Sequence, residues 1–300
     1  MIVDAHHHVW DPAARRHAWL DGLPALNRRF GLADFAQAAA PEGVTASVLV
    51  QVLASTEETE EFLALAAVSG AGQGGGGDQG GGGRAGLTRV AGVVGWTDLT
   101  SPGVADEIAR LRALPGGGRL AGFRHLVQDE PDPDWLRRPD VRRGLRAVGA
   151  AGLAYDLLLR PAQLPPAVAV TGDLADVRFV LDHGAKPAIA VGAREPWASQ
   201  VGALAARPNV SCKVSGLVTE AGPGWRPDQI APYIDHLADT FGPSRLIFGS
   251  DWPVCTAEAS YGSVIALAAG VLGGSLGVAE LDAFFAGNAI AVYRLDAGLA

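Results

Sequence analysis

Apolar runs rich in β-branched residues recur along the chain at 2–8, 45–52, 90–97, 120–126, 153–159, 177–183, 210–217 and 246–251. Between most of them apolar residues return every three or four positions, as at Val104, Ile108 and Leu111, at Val141, Leu145 and Val148, and at Trp197, Val201 and Leu204. That spacing lines one face of a helix, so the pattern reads as strand followed by helix, over and over. Near-continuous apolar strands indicate a parallel sheet covered on its outside, and eight such units are the number that closes a (β/α)8 TIM barrel. An open, doubly wound sheet competes. It is disfavoured because no Gly-rich phosphate turn follows the first strand and because polar residues gather at strand C-termini along the whole chain.

The 300 residues, 48% of them hydrophobic, suffice for one large core, and the expectation is a single barrel domain over residues 1–300. Residues 70–86, GAGQGGGGDQGGGGRAG, should form a flexible insertion between the second helix and the third strand. A phosphate cradle there lacks the following Lys-Ser/Thr and the helix start that such loops use. The net charge of −8, without a Lys/Arg run, argues against a nucleic-acid partner. No leader-like segment opens the chain and no apolar run is long enough to span a bilayer, so a cytoplasmic protein without a membrane partner is expected. Cys212 and Cys255 stand far apart without a CxxC spacing and read as free, buried thiols. The pattern leaves open whether the barrel forms a homodimer.

The chemistry gathers at strand ends. In Asp4-Ala5-His6-His7-His8, alternation puts His6 and His8 on one face and His7 on the other. Two imidazoles at a barrel mouth are either metal ligands or a hydrogen-bonding pair for a carbonyl or anionic substrate, while His7 reads as a packing residue. The run ending Val180-Leu181-Asp182-His183 delivers a third imidazole, and Leu246-Ile247-Phe248-Gly249-Ser250-Asp251 drives an apolar strand into a carboxylate before Pro253 ends the ladder. Asp251 is the natural base for an attacking water. Arg124 and His125 end the fourth strand on opposite faces, so one of them should reach the mouth. Gln51, Trp96, Asp156 and Trp252 also lie at strand ends and suit a hydroxyl-rich substrate. Lys213, in an otherwise apolar strand, needs a buried partner, whereas Lys186 reads as a loop charge.

The segments DAHHHVWDP, GFRHLVQDEPDP, FVLDHGAKP, CKVSGLVTEA and FGSDWPVC, in that order over essentially the whole chain, resemble the amidohydrolase-2 family of the amidohydrolase superfamily. The branch they look most like is that of sugar-acid lactonases acting on L-fuconolactone and L-rhamnonolactone. Dicarboxylate-pyrone lactonase is a more distant relative. The resemblance places the family's HxH pair on His6 and His8, its sixth-strand histidine on His183 and its eighth-strand aspartate on Asp251. Arg124-His125 stand where two-metal members carry a bridging lysine or glutamate, and Tyr155-Asp156 where they carry a histidine, which argues against a binuclear centre. The remaining set suits one divalent ion, zinc by its ligand preference, or a metal-independent scheme on the same residues.

The function these expectations point to is hydrolysis of a small-molecule sugar-acid lactone. Water activated by Asp251 would attack while His125, Arg124, Gln51, Trp96, Asp156, Lys213 and Trp252 contact substrate. Two rivals remain: a zinc-dependent decarboxylase or C–C hydrolase on the same scaffold, and a non-catalytic sugar-binding barrel.

Overall fold

The computed structural model describes residues 1–69 and 88–296, so the Gly-rich insertion expected at 70–86 lies outside the described residues. Eight strands form the barrel: β1 (Ile2–His7), β2 (Val44–Val50), β3 (Arg89–Gly95), β4 (Leu120–His125), β5 (Ala154–Leu157), β6 (Arg178–Leu181), β7 (Val210–Val214) and β8 (Leu246–Phe248). They are hydrogen-bonded in chain order, and neighbours run parallel. The seam between first and last strands is closed where His8 N–H donates to the Trp252 carbonyl (2.7 Å) and Asp251 N–H to the His6 carbonyl (2.8 Å). Several strands are shorter than their apolar runs, β5 to β8 each by three residues. After β6 and β8 the chain leaves the ladder early and presents His183 and Asp251 at the mouth.

Around the sheet lie α1 (Leu32–Ala39), α2 (Thr56–Ser69), α3 (Val104–Ala113), α4 (Pro139–Ala150), α5 (Leu164–Asp173), α6 (Trp197–Ala205), α7 (Leu217–Ala221), α8 (Pro227–Phe241), α9 (Tyr261–Leu272), α10 (Val278–Asp282) and α11 (Asn288–Tyr293). The predicted helical faces are the buried ones: Val104, Ile108 and Leu111 in α3, Val141, Leu145 and Val148 in α4, Trp197, Val201 and Leu204 in α6. Among the described residues no helix is long and apolar enough to cross a membrane. Cys212 and Cys255 are free and buried.

Two apolar layers result. The larger one, between sheet and helices, holds Phe35, Phe123, Phe179, Trp197 and Phe248; each such side chain contributes roughly 1.5–3 kcal/mol on burial. The smaller one fills the lower half of the barrel with small residues such as Val3, Ala5, Ala46, Val48 and Ala154, and is capped by Ala286, Ala289 and Tyr293 near the C-terminus. With its apolar filling confined to this end, the barrel keeps its upper interior for polar groups.

β1 departs from strict alternation. Val3 and Ala5 face the barrel interior while Asp4 faces α9 through Tyr261, so regular alternation would turn His6 outward. Instead the pairing with β2 slips between Asp4 and His7. After the slip His6 and His8 face inward, and His7 stacks on Phe35 of α1 with ring centroids 3.8 Å apart. A one-residue irregularity of this kind re-aims every following side chain. Asp4 holds it in place: one carboxylate oxygen accepts the amides of His6 (3.0 Å) and Ser250 (2.9 Å), and the other the hydroxyls of Ser250 (2.6 Å) and Tyr261 (2.9 Å).

Candidate active site

Three imidazoles converge on one carboxylate oxygen. Asp251 Oδ1 lies 3.4 Å from His8 Nε2, 3.7 Å from His6 Nε2 and 3.9 Å from His183 Nε2, and all four residues are buried. His8 Nδ1 sits 2.7 Å from the Val50 carbonyl, so that nitrogen carries a proton and Nε2 is the one turned to the site. His183 is held through Nδ1 by Ser215 Oγ at 2.8 Å.

His183 and Asp251 reach the centre by unusual backbone. His183, Gly184, Ala185 and Lys186 form a left-handed turn with φ of 54°, 55°, 62° and 51°, and Asp251 has φ 58°. Left-handed backbone costs a non-glycine residue roughly 1–2 kcal/mol. Fixed partners offset this: Trp197 Nε1–H donates to the Gly184 carbonyl at 2.6 Å, and Asp251 is tied to the seam. Gly216 is required beside them, because a Cβ there would lie 2.6 Å from His183 Nδ1 and its own φ is +65°.

Beneath the imidazoles runs a buried ionic column. Lys213 Nζ contacts Asp156 (2.6 Å), Asp182 (3.0 Å) and His6 Nδ1 (3.2 Å), and Arg124 Nη1 reaches Asp182 (3.0 Å) and His6 Nε2 (3.2 Å). Tyr293 of α11 rises through the barrel floor to donate to Asp156 at 2.8 Å. Two carboxylates and two cations balance, which makes their burial tolerable.

The protonation states suit chemistry near neutrality. Burial drives His6 well below the ordinary histidine range and His183 down to about 4, so both stay neutral. Burial alone would raise Asp251, but the surrounding His183, His8 and His6 outweigh it and hold the carboxyl below the usual carboxylate range. Asp182 is likewise kept ionised against its burial by Lys213, His6 and Arg124. The acid limb of the pH–rate profile should therefore belong to His183. As pH falls toward 4 its imidazole becomes a cation while Asp251 stays ionised, so kcat/KM should decline toward about pH 4 and be level through neutrality. A pH-stat profile with an acid limb near 6.5, the ordinary histidine value, would contradict this assignment.

Above the centre opens a cavity of about 190 Å³ whose walls include His8, Arg124, His183, Lys186, Asp251 and Trp19. Of the substrate contacts expected from sequence, Arg124 alone lines it. Gln51 instead braces Arg124, its amide nitrogen 3.2 Å from the Arg124 carbonyl and its own carbonyl accepting from the guanidinium. Asp156 and Lys213 lie below His6, fully buried. His125 turns away from the barrel, accepts from Trp96 Nε1 at 3.0 Å, pairs with Glu130 at 2.6 Å and stacks on Trp135. Trp252 packs against Phe30 and Phe35. On β4 the inward position is Arg124, which sits in register with Asp156.

Two site residues are not singled out by the sequence. Asp182 has a usable signal, since it is a polar residue ending an apolar strand immediately before His183. Trp19 has none, because it arrives on a short helical turn, Ala18–Leu20, outside any periodic segment. Its ring is T-stacked on Trp10 at 5.1 Å, it is 37% exposed, and it forms a flat cavity wall. Trp19→Ala should raise KM several-fold with kcat little changed, as expected for a wall that binds ground and transition states alike; steady-state kinetics on the best substrate checks it.

The donor set fits one divalent cation. Ligand atoms of His6, His183 and Asp251 lie within 4.8 Å of one another, His8 turns Nε2 to the same centre, and burial keeps His6 and His183 neutral, as ligation requires. The His6–His8 and His8–Asp251 separations, 3.2 and 3.4 Å, match the ~3.3–3.4 Å edge of a tetrahedron with metal–ligand bonds of ~2.0–2.1 Å, and the 3.7 and 3.9 Å separations of Asp251 from His6 and His183 are wider than that edge.

Barrel and site together define an amidohydrolase-type centre, and the chain belongs to the amidohydrolase family, whose model matches residues 3–295. An L-fucono-1,5-lactonase of Burkholderia ambifaria is 38% identical over 98% of this chain and 96% of its own length. The crystal structure of an amidohydrolase from Burkholderia multivorans with bound zinc superposes with a TM-score of 0.86 at 35% identity, covering 99% of this chain and 100% of that one. A 5-carboxyvanillate decarboxylase from Sphingomonas paucimobilis, 14% identical with a TM-score of 0.64 over 98% of this chain and 99% of its own, shares the fold alone.

Proposed function

We propose that this protein hydrolyses a sugar-acid lactone, with L-fucono-1,5-lactone the first substrate to try. The observation that carries the reading is the convergence of three imidazoles on an ionised Asp251 at the floor of a cavity walled by Arg124 and Lys186. It is supported by likeness to a lactonase over nearly the full length of both chains.

Asp251 accepts a proton from water as the water oxygen adds to the lactone carbonyl carbon. The charge growing on the carbonyl oxygen faces the guanidinium of Arg124 and the ammonium of Lys186. His8 turns Nε2 to the same centre, 3.4 Å from Asp251 Oδ1, where it positions the attacking water or holds a cation. The adduct collapses, the ring C–O bond breaks, and the departing ring oxygen takes the proton from Asp251, leaving a hydroxy acid. His6, His8, His183 and Asp251 would hold a divalent ion, zinc by ligand preference; when bound it supplies Lewis-acid polarisation of the carbonyl and a more acidic water. The decarboxylase reading rests on the shared fold and gains no separate support from this cavity.

The test is proton release in a pH-stat on a panel of aldonolactones, with spontaneous opening subtracted and with zinc or chelator added in parallel. Accelerated opening of a deoxysugar 1,5-lactone is expected. A folded, zinc-supplied protein that accelerates none of the lactones, yet releases carbon dioxide from a carboxylated phenol, would replace the lactonase with the decarboxylase.

A further inference from the structure

Between the segment 9–33 and α2 lies a second cavity of about 320 Å³, larger than the catalytic one. Its apolar side is formed by Trp10, Phe30 and Phe62, and its rim by Asp11, Arg15, Arg29 and Glu61. The rim charges pair off, Arg15 with Glu61 at 2.8 Å and Arg29 with Asp11 at 3.7 Å. Exposed pairs of this kind contribute at most about 1 kcal/mol, so a ligand's polar groups can replace them at little cost. With both signs present, the rim favours neither an anion nor a cation.

One buried acceptor there lacks a donor, and a buried carboxyl stands on the same wall. Glu58, which lines the cavity and is 1% exposed, takes the amides of Val52 (2.8 Å) and Leu53 (2.9 Å) on the same oxygen, Oε2. Burial raises this carboxyl to about 7, so near neutrality Oε1, which takes no hydrogen bond among the described residues, can carry a proton. His17, also on the cavity wall and 5% exposed, has Nδ1 2.7 Å from the Arg15 carbonyl, so Nδ1 carries the proton. Its Nε2 is then an acceptor with no partner among the described residues. An orphan acceptor calls for an O–H or N–H donor and a protonated carboxyl for an oxygen acceptor, aromatic faces suit the C–H faces of a saturated ring, and arginine–carboxylate pairs serve hydroxyls as both donors and acceptors.

We propose that this second cavity binds a neutral, hydroxyl-rich ring, a monosaccharide or its lactone, and that its occupancy is felt in the catalytic cavity. Two contacts connect them. Glu58 pins Val52, which lines the catalytic cavity, and Trp10 stacks on Trp19, which lines it too. The ligand class follows from the chemistry of this cavity; the effect on turnover rests on the lactonase reading above.

The experiment titrates the full-length protein with L-fucose, which is neutral and cannot be hydrolysed, with L-fucono-1,5-lactone, and with sodium L-fuconate, following binding by calorimetry and tryptophan fluorescence. Ala14 and Ala33, exposed residues on the cavity lining, are replaced in Ala14→Trp and Ala33→Trp to plug it, and Arg15→Ala serves as a second variant should a plug disturb folding. L-Fucose should bind the wild type, bind Asp251→Asn equally well, and bind the plugged or Arg15→Ala protein at least about tenfold more weakly, a loss of about 1.4 kcal/mol. Lactone but not L-fucose binding at the pluggable cavity would assign the site to the substrate. L-Fucose should also change kcat in the wild type and not in the variants. Failure of both neutral ligands to bind, binding untouched by every variant, or a preference for the anionic L-fuconate would overturn the proposal. Because binding is read without turnover, a protein that opens no lactone still reveals whether this cavity takes a sugar.

Discussion

Asp251→Asn should lower kcat/KM on the best lactone by about 10²–10⁴-fold, the range a positioned general base supplies, while the protein stays folded. Asparagine is the informative substitution because it tolerates left-handed backbone better than other non-glycine residues, and Asp251 sits at φ 58°. Its N–H can still donate to the His6 carbonyl, which keeps the seam closed. What it loses is the ability to accept a proton from water. Proton release and thermal unfolding should be measured on the same preparation. More than a tenth of wild-type activity in a normally melting variant would remove Asp251 from the role of base.

Lys213→Met should be among the most destabilising single substitutions in the chain, and should do so without touching the cavity. The ammonium is fully buried between Asp156 and Asp182. Removing one partner of a buried ion pair typically costs about 3–5 kcal/mol, which for a protein of this size lowers Tm by roughly 10 °C. The double variant Lys213→Met/Asp156→Asn should recover part of the loss, since one of the two stranded carboxylates is gone; such coupling separates charge removal from poor packing. Additive losses in differential scanning calorimetry would show that the column does not act as a unit.

The outline of this molecule is legible in its sequence because the signals for it are local. Apolar runs separated by three-four spacing identify strands and helices, and Val104, Ile108 and Leu111 fall on a buried face as their spacing requires. His6 and His8 are paired by their two-residue separation. Yet counting outward from Val3 and Ala5 would turn them away from the interior; only the slip held by Asp4 restores them. His183 and Asp251 face the same difficulty, because left-handed backbone overrides alternation and leaves no mark in a single sequence. At β4 the choice between Arg124 and His125 depends on register with Asp156, a non-local quantity. Gln51, Asp156 and Lys213 stand out as unusual polar residues in strands, but depth along the barrel axis decides that they support the site instead of lining it. Trp19 lies in a segment without periodicity, where sequence spacing says nothing about direction.

The seam where β1 meets β8 bears on the birth of the enzyme. Asp4 and Ser250, which bond across it, are 246 positions apart, and the imidazole pair and the carboxylate stand on either side. A chain still emerging from the ribosome can present His6 and His8 for most of its synthesis with no Asp251 to complete them. On the proposed mechanism catalysis switches on only when the last strand docks against the first, and a product cut short before that strand should be silent however well the rest of it has folded.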